Sequence, residues 1–127
     1  MPPDHRRSER VAEGIREEVA TFLAEDAKDP RIVGLVTVTG VEVTRDLRHA
    51  KVFVSIMGSD DERRATLQGL ESAAGHLRSR IGRVLRLRVA PEVTFRYDDS
   101  IARAAKIEAL LAELKQPPPS GDGDQQA

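Results

Sequence analysis

Apolar side chains recur with a period near 3.6 at Val11, Ile15, Val19, Phe22 and Leu23, with Glu9, Glu13, Arg16, Glu17 and Glu18 between them. This pattern predicts an amphipathic helix over about 8–26. Asp29-Pro30 ends it, because the residue before a proline is driven out of the helical region. Residues 35–44 are rich in β-branched side chains, and their apolar face moves from Val36 and Val38 to Val41 and Val43. The change of phase falls at Gly40 and predicts a bulge. A polar link over 45–49 leads to residues 50–56, where Val52, Val54 and Ile56 share a face, so the two strands form a hairpin.

Ser59 followed by Glu62 reads as a capping box, in which hydroxyl and carboxylate satisfy free amides at a helix start. Leu67, Leu70, Ala74, Leu77, Ile81 and Val84 carry the helical period through Gly69, Gly75 and Gly82. Each glycine costs about 1 kcal/mol inside a helix, and one helix over 60–85 is long for so small a domain. The expected break is at Ala73-Ala74-Gly75. A strand over 89–97 follows, with Leu87, Val89, Val93, Phe95 and Tyr97 on one face and Arg88 and Arg96 on the other. Pro91 places it at an edge or delays its start. A last helix, capped by Asp98, Asp99 or Ser100, uses Ile101, Ala104, Ile107, Leu111 and Leu114 and ends before the three prolines at 117–119. The order is α-β-β-α-α-β-α: an α+β fold with a mixed three-stranded sheet and helices on one face. One domain over 8–114 is expected between a flexible stretch, 1–7, and a disordered Pro/Gly/acidic tail, 115–127.

Composition narrows the chemistry. The 127 residues hold one modest core, and with no cysteine there is neither disulfide nor thiolate ligand. No run approaches the roughly 18 apolar residues of a membrane span and the N-terminus lacks a signal-peptide core, so a cytoplasmic protein is expected. Net charge is −1, yet between Gly75 and Tyr97 six arginines face a single acid, Glu92, a local +5. A one-sided cationic surface on a nearly neutral chain is the footprint of polyanion binding. At about 100° per residue, His76, Arg80 and Arg83 share a narrow arc with Arg86 beside it, roughly opposite Leu77, Ile81 and Val84. Arg78 and Arg88 extend the cationic set. A plain solvated helix face is the competing reading, but such faces mix signs and this one does not. Arg45 and Arg48 in the hairpin link are further candidates, against a reading of that link as a turn in which Asp46 bonds its own backbone. Arg6, Arg7, Arg10, Lys28 and Arg31 could also reach phosphates, although acids are mixed among them.

Catalysis finds little support. His5, His49 and His76 show no metal-ligand spacing, no nucleophile elbow or phosphate-binding loop occurs, and no cofactor is expected. Asp60-Asp61 and Asp98-Asp99 stand at helix starts, where the dipole favours negative charge. The only aromatics are Phe22, Phe53, Phe95 and Tyr97, and at least Phe22 and Phe95 fall on core faces, so an aromatic base-stacking platform is missing. Phosphate and shape recognition of structured RNA is what remains.

Lys28-Asp29-Pro30-Arg31, the run over 41–47 with that over 50–55, and the stretch from Arg86-Leu87-Arg88 through Pro91 to Tyr97-Asp98 resemble the ribosome-binding factor A family over residues 6–114. The resemblance implies a KH-like domain of the type II order, α-β-β-α-α-β. The Gly-x-x-Gly loop of conventional KH domains is missing, and Ala73-Ala74-Gly75 matches the family's Ala-x-Gly interruption instead. It further implies binding to the free small (30S) ribosomal subunit and its 16S rRNA during late maturation and 5′-end processing. Cold adaptation and release by a ribosome-associated GTPase are implied as well. The short acidic tail departs from relatives with a longer basic extension. The expectation is a noncatalytic, monomeric assembly factor, with a KH-like protein-docking module or a hydrolase of RNA ends, dependent on His76 or Asp98, as alternatives. Reversing Arg80 and Arg83 to glutamate is expected to abolish subunit binding without disturbing the fold.

Overall fold

The computed structural model describes residues 3–26, 29–33 and 35–115. Helix α1 spans Pro3–Thr21 and runs on into a π-helical turn, Phe22–Asp26. Strands β1, Leu35–Val43, and β2, His49–Met57, form the hairpin. Helix α2, Asp60–Val84, β3, Glu92–Tyr97, and α3, Ser100–Lys115, complete the order. The first helix thus starts at Pro3, earlier than the expected 8, and Lys28 and the segment 116–127 lie outside the described residues.

The sheet order is β1-β2-β3, with β1 and β2 antiparallel and β2 and β3 parallel. The register of β1 on β2 slips between Val38 and Gly40, which is the bulge that the apolar phase change predicts. It lets Val38 before it and Val41 and Val43 after it face the same core as Ala50, Val52, Val54 and Ile56 of β2. From β3 come Val93 and Phe95. Ile15, Val19 and Phe22 from the first helical segment and Leu70, Leu77 and Ile81 from α2 close the layer, at 4 % exposure or less. Burying a side chain of this size is worth about 1.5–3 kcal/mol, so these six anchor both helices to one face of the sheet.

Two expectations need correction. The helix is unbroken at Ala73-Ala74-Gly75: α2 is a single element of 25 residues, and the order is α-β-β-α-β-α. Two of its glycines lie where the helix passes close to other chain. A Cβ at Gly69 would come within 2.7 Å of Ile32 Cγ1, and one at Gly82 within 2.9 Å of Ala90 Cβ. Burial along the helix outweighs the propensity cost of about 1 kcal/mol per glycine. Second, α3 does not join the helical layer. None of its residues is buried, and Ile107, Leu110 and Leu111 are about half exposed. The KH-like α+β architecture holds with the two middle helices merged.

Candidate nucleic-acid interface

Helices α1 and α2 run antiparallel where they touch, through three successive contacts. A Cβ on Gly14 would lie 2.8 Å from Leu85 Cδ2, so the absence of a side chain there lets the end of α2 approach. One turn on, Arg80 Nε donates to Glu18 Oε1 at 3.0 Å, with both side chains less than a fifth exposed. Another turn on, the His76 ring lies 5.9 Å from that of Phe22. The expected outward stripe of His76, Arg80 and Arg83 is therefore corrected at Arg80, while His76 and Arg83 are exposed. Arg80 is turned into the helix interface and neutralised by Glu18, and His76 leans on Phe22. A helical wheel gives the arc correctly but not what faces it, since Glu18 lies 62 residues away in sequence.

Arg83, Arg86 and Arg88 are exposed, and none has a carboxylate partner among the described residues. Arg78 is also exposed and donates from Nε to the Ala90 carbonyl at 3.1 Å. Beyond Val84 the chain leaves α2 in a Schellman turn: the Arg86 amide donates to Arg83 O and the Leu87 amide to Gly82 O. Arg86 occupies the left-handed position, at φ 55°. Cations at this helix end also complement its dipole.

Because β3 starts beside β2, with Glu92 opposite His49, the linker over 85–91 and the hairpin turn meet at one end of the sheet. The Glu92 amide donates to Arg48 O at 2.8 Å. The turn itself is tied by Asp46, whose Oδ1 accepts from the Thr44 hydroxyl at 2.7 Å and the Arg48 amide at 3.1 Å. These bonds, the hydroxyl first, hold the Asp46 carboxyl below its ordinary value. Leu47 turns inward at φ 60°, and Arg45 and Arg48 stay exposed on either side. The turn reading of the link holds, with Asp46 bonding the local backbone, and the turn leaves two guanidiniums exposed.

Two arginines that the sequence placed in a mixed-sign background belong to the same end. Arg7 and Arg10 on α1 line a cleft of about 360 Å³ with Val11, Leu85, Arg86 and Leu87. Arg31, by contrast, is bound to Asp29 and to Ser72 Oγ at 2.7 Å and ties the loop before β1 to α2. At the opposite end of the sheet Asp60, Asp61 and Glu62 open α2 and Asp98 and Asp99 precede α3. Of those acids Asp60, Asp61 and Asp99 are paired with Arg63, Arg64 and Arg103, while at the cationic end Asp46 is engaged within the turn and Glu92 lies 3.3 Å from His49 Nδ1. Gly75 is exposed on α2 with nothing within 4 Å of where its Cβ would be. Among the described residues no three His, Cys, Asp or Glu side chains gather to hold a metal ion, and no helix is long and apolar enough to cross a membrane.

The profile of the family described as "Ribosome-binding factor A" matches residues 7–111. A curated relative of that name from Gemmatimonas aurantiaca is 66% identical over 110 residues, covering 87% of this chain and 75% of its own. The crystal structure of ribosome-binding factor A from Thermus thermophilus superposes with a TM-score of 0.55 at 22% identity, over 76% of this chain and 97% of that one. Coordinates of the Thermus thermophilus factor fitted into a cryo-EM map of a 30S complex give a TM-score of 0.54 at 22% identity, over 73% and 92% of the two chains. A profile match over most of the length, with a relative far above 30% identity, settles the matter: this chain belongs to the ribosome-binding factor A family.

Proposed function

We propose that the protein is a noncatalytic assembly factor that binds the free small ribosomal subunit through the cationic end of its sheet, against phosphates of 16S rRNA. The observation that carries this reading is the set Arg45, Arg83, Arg86 and Arg88, exposed at one end and without carboxylate partners among the described residues. Two acids at this end, Asp46 and Glu92, are engaged by the turn and by His49, which leaves these four guanidiniums unpaired among the described residues. Family membership agrees with it, as does the 30S complex of the Thermus thermophilus relative.

Binding of this kind acts by selection. A factor with higher affinity for an immature rRNA arrangement stabilises that arrangement by the difference in affinity, and it leaves when the mature form can no longer hold it. Late maturation, 5′-end processing, growth in the cold and release by a ribosome-associated GTPase fall within this scheme, with the protein acting as a monomer in the cytoplasm. The test is sedimentation of cell extract. The protein should travel with free small subunits and be absent from complete ribosomes. Equal occupancy of both would contradict it.

A further inference from the structure

The cleft between the start of α1 and the end of α2 has a construction that general cationic steering does not require. Arg7, Arg10, Val11 and Gly14 fall on one face of α1, at i, i+3, i+4 and i+7. Gly14 lets Leu85 close in, and that contact brings the first turns of α1 beside the Schellman turn that carries Arg86. Val11, Leu85 and Leu87 floor the cleft, and three guanidiniums, Arg7, Arg10 and Arg86, rim it. Glu9 and Glu13 fall outside this face of α1. None of the three arginines has a carboxylate partner among the described residues.

Arg86 supplies a second, independent observation. The residue after a helix C-cap in a Schellman turn is ordinarily glycine, because the left-handed conformation strains any residue with a Cβ. Here that position, at φ 55°, is held by arginine. A long cationic side chain kept where glycine is favoured points to a use for the side chain.

We propose that Arg7, Arg10 and Arg86 together clamp one backbone phosphate of ribosomal RNA, with the adjoining ribose lying over Val11, Leu85 and Leu87. The proposal rests on the RNA-binding reading above and deepens it by joining Arg86 to two arginines of α1 at one defined contact point. Guanidinium forks suit phosphate oxygens, and the apolar floor beneath them suits a nucleotide better than a free anion.

The test measures binding of the full chain to salt-washed free small subunits across a series of salt concentrations, together with thermal unfolding. Arg86→Gly should raise Tm by a few degrees, weaken binding about fivefold or more, and make the log–log salt slope less negative by about 0.7–0.9. Arg10→Gln should weaken binding similarly without raising Tm. The double variant should lose much less than the product of the two, since both groups serve one phosphate. If wild type binds and Arg86→Gly leaves affinity and slope unchanged, the clamp is refuted while the assembly-factor reading stands. Multiplying losses would mean separate phosphates and equally overturn it, and a fall in Tm for Arg86→Gly would remove the strain argument. If wild type itself fails to bind, the functional reading falls, and the clamp with it.

Discussion

Arg80 and Glu18 meet at 3.0 Å across the α1–α2 interface, largely shielded from water, so a residue that reads as an RNA ligand on a helical wheel is a structural tie. Arg80→Glu should therefore destabilise the fold, because it places two carboxylates together in a half-dry site. Leaving a buried polar group unpaired costs about 1–3 kcal/mol, and about 4–8 °C of Tm accompanies each kcal/mol in a domain of this size. Glu18→Arg combined with Arg80→Glu should recover a large part of the loss. Thermal unfolding of the two single variants and the double one measures this, and an Arg80→Glu protein as stable as wild type would refute it.

The glycines of α2 predict opposite outcomes for one substitution. Gly75→Ala puts a methyl into open space on an exposed turn and should stabilise by about 1 kcal/mol, the helix-propensity difference. Gly69→Ala gains the same propensity but drives its Cβ to 2.7 Å from Ile32 Cγ1 and 3.4 Å from the Ile32 backbone nitrogen, in a buried position. Its net effect should be destabilising. Chemical denaturation midpoints decide between them. A loss of stability at Gly75→Ala would show that the turn needs glycine and would revive the broken-helix expectation.

Acid should weaken the fold through carboxylates held in hydrogen bonds. Asp98 accepts from the Thr39 hydroxyl at 2.7 Å, across β2, and from the Ser100 amide at 2.9 Å, and these bonds, the hydroxyl first, lower its carboxyl below the ordinary 3.8. Asp29, bonded to Arg31, is lowered to about 2. Groups that bind protons less readily when folded contribute stability that is complete above the unfolded value and disappears as the pH falls through the folded one. Tm should therefore fall between pH 3.8 and about pH 2. In a carboxyl NMR titration the Asp98 midpoint should climb toward 3.8 in Thr39→Val. An unmoved midpoint would rule out the hydroxyl as its cause.

Helix α3 contributes no buried residue, so it should be dispensable to the core. A chain ending after Ser100, which keeps the Asp98–Thr39 bond, should unfold cooperatively within about 2 °C of the full protein, as expected for a change that uncovers no core surface. A shift of 10 °C or more would mean that α3 packs on the domain.

Much of this architecture is legible in the sequence because it rests on local rules. The capping box closes in both directions, with the Glu62 amide on Ser59 Oγ and the Ser59 amide on Glu62 Oε1, and the phase change near Gly40 locates the bulge. What fails is non-local. The cost of Gly75 suggests a break, but the helix gains more from Leu70, Leu77 and Ile81, all fully buried on either side of it. The period of Ile101, Ile107, Leu111 and Leu114 predicts a packed helix, yet periodicity reports that an apolar stripe exists and not what covers it. The charge cluster is legible only as a segment of sequence, without its neighbours in space. Only the antiparallel pairing of α1 with α2 removes Arg80 and brings in Arg7 and Arg10, and no single-sequence pattern encodes that pairing.

The central claim is that unpaired guanidiniums at one end of the sheet hold rRNA phosphates, and its most direct measurement is the salt dependence of binding to free small subunits. With about four to six phosphates neutralised, log affinity should fall against log salt with a slope of roughly −3 to −5. Arg83→Glu with Arg88→Glu should weaken binding at least about tenfold and flatten that slope by about 2, at unchanged Tm. An affinity indifferent to salt, or a double variant that binds like wild type, would contradict the account.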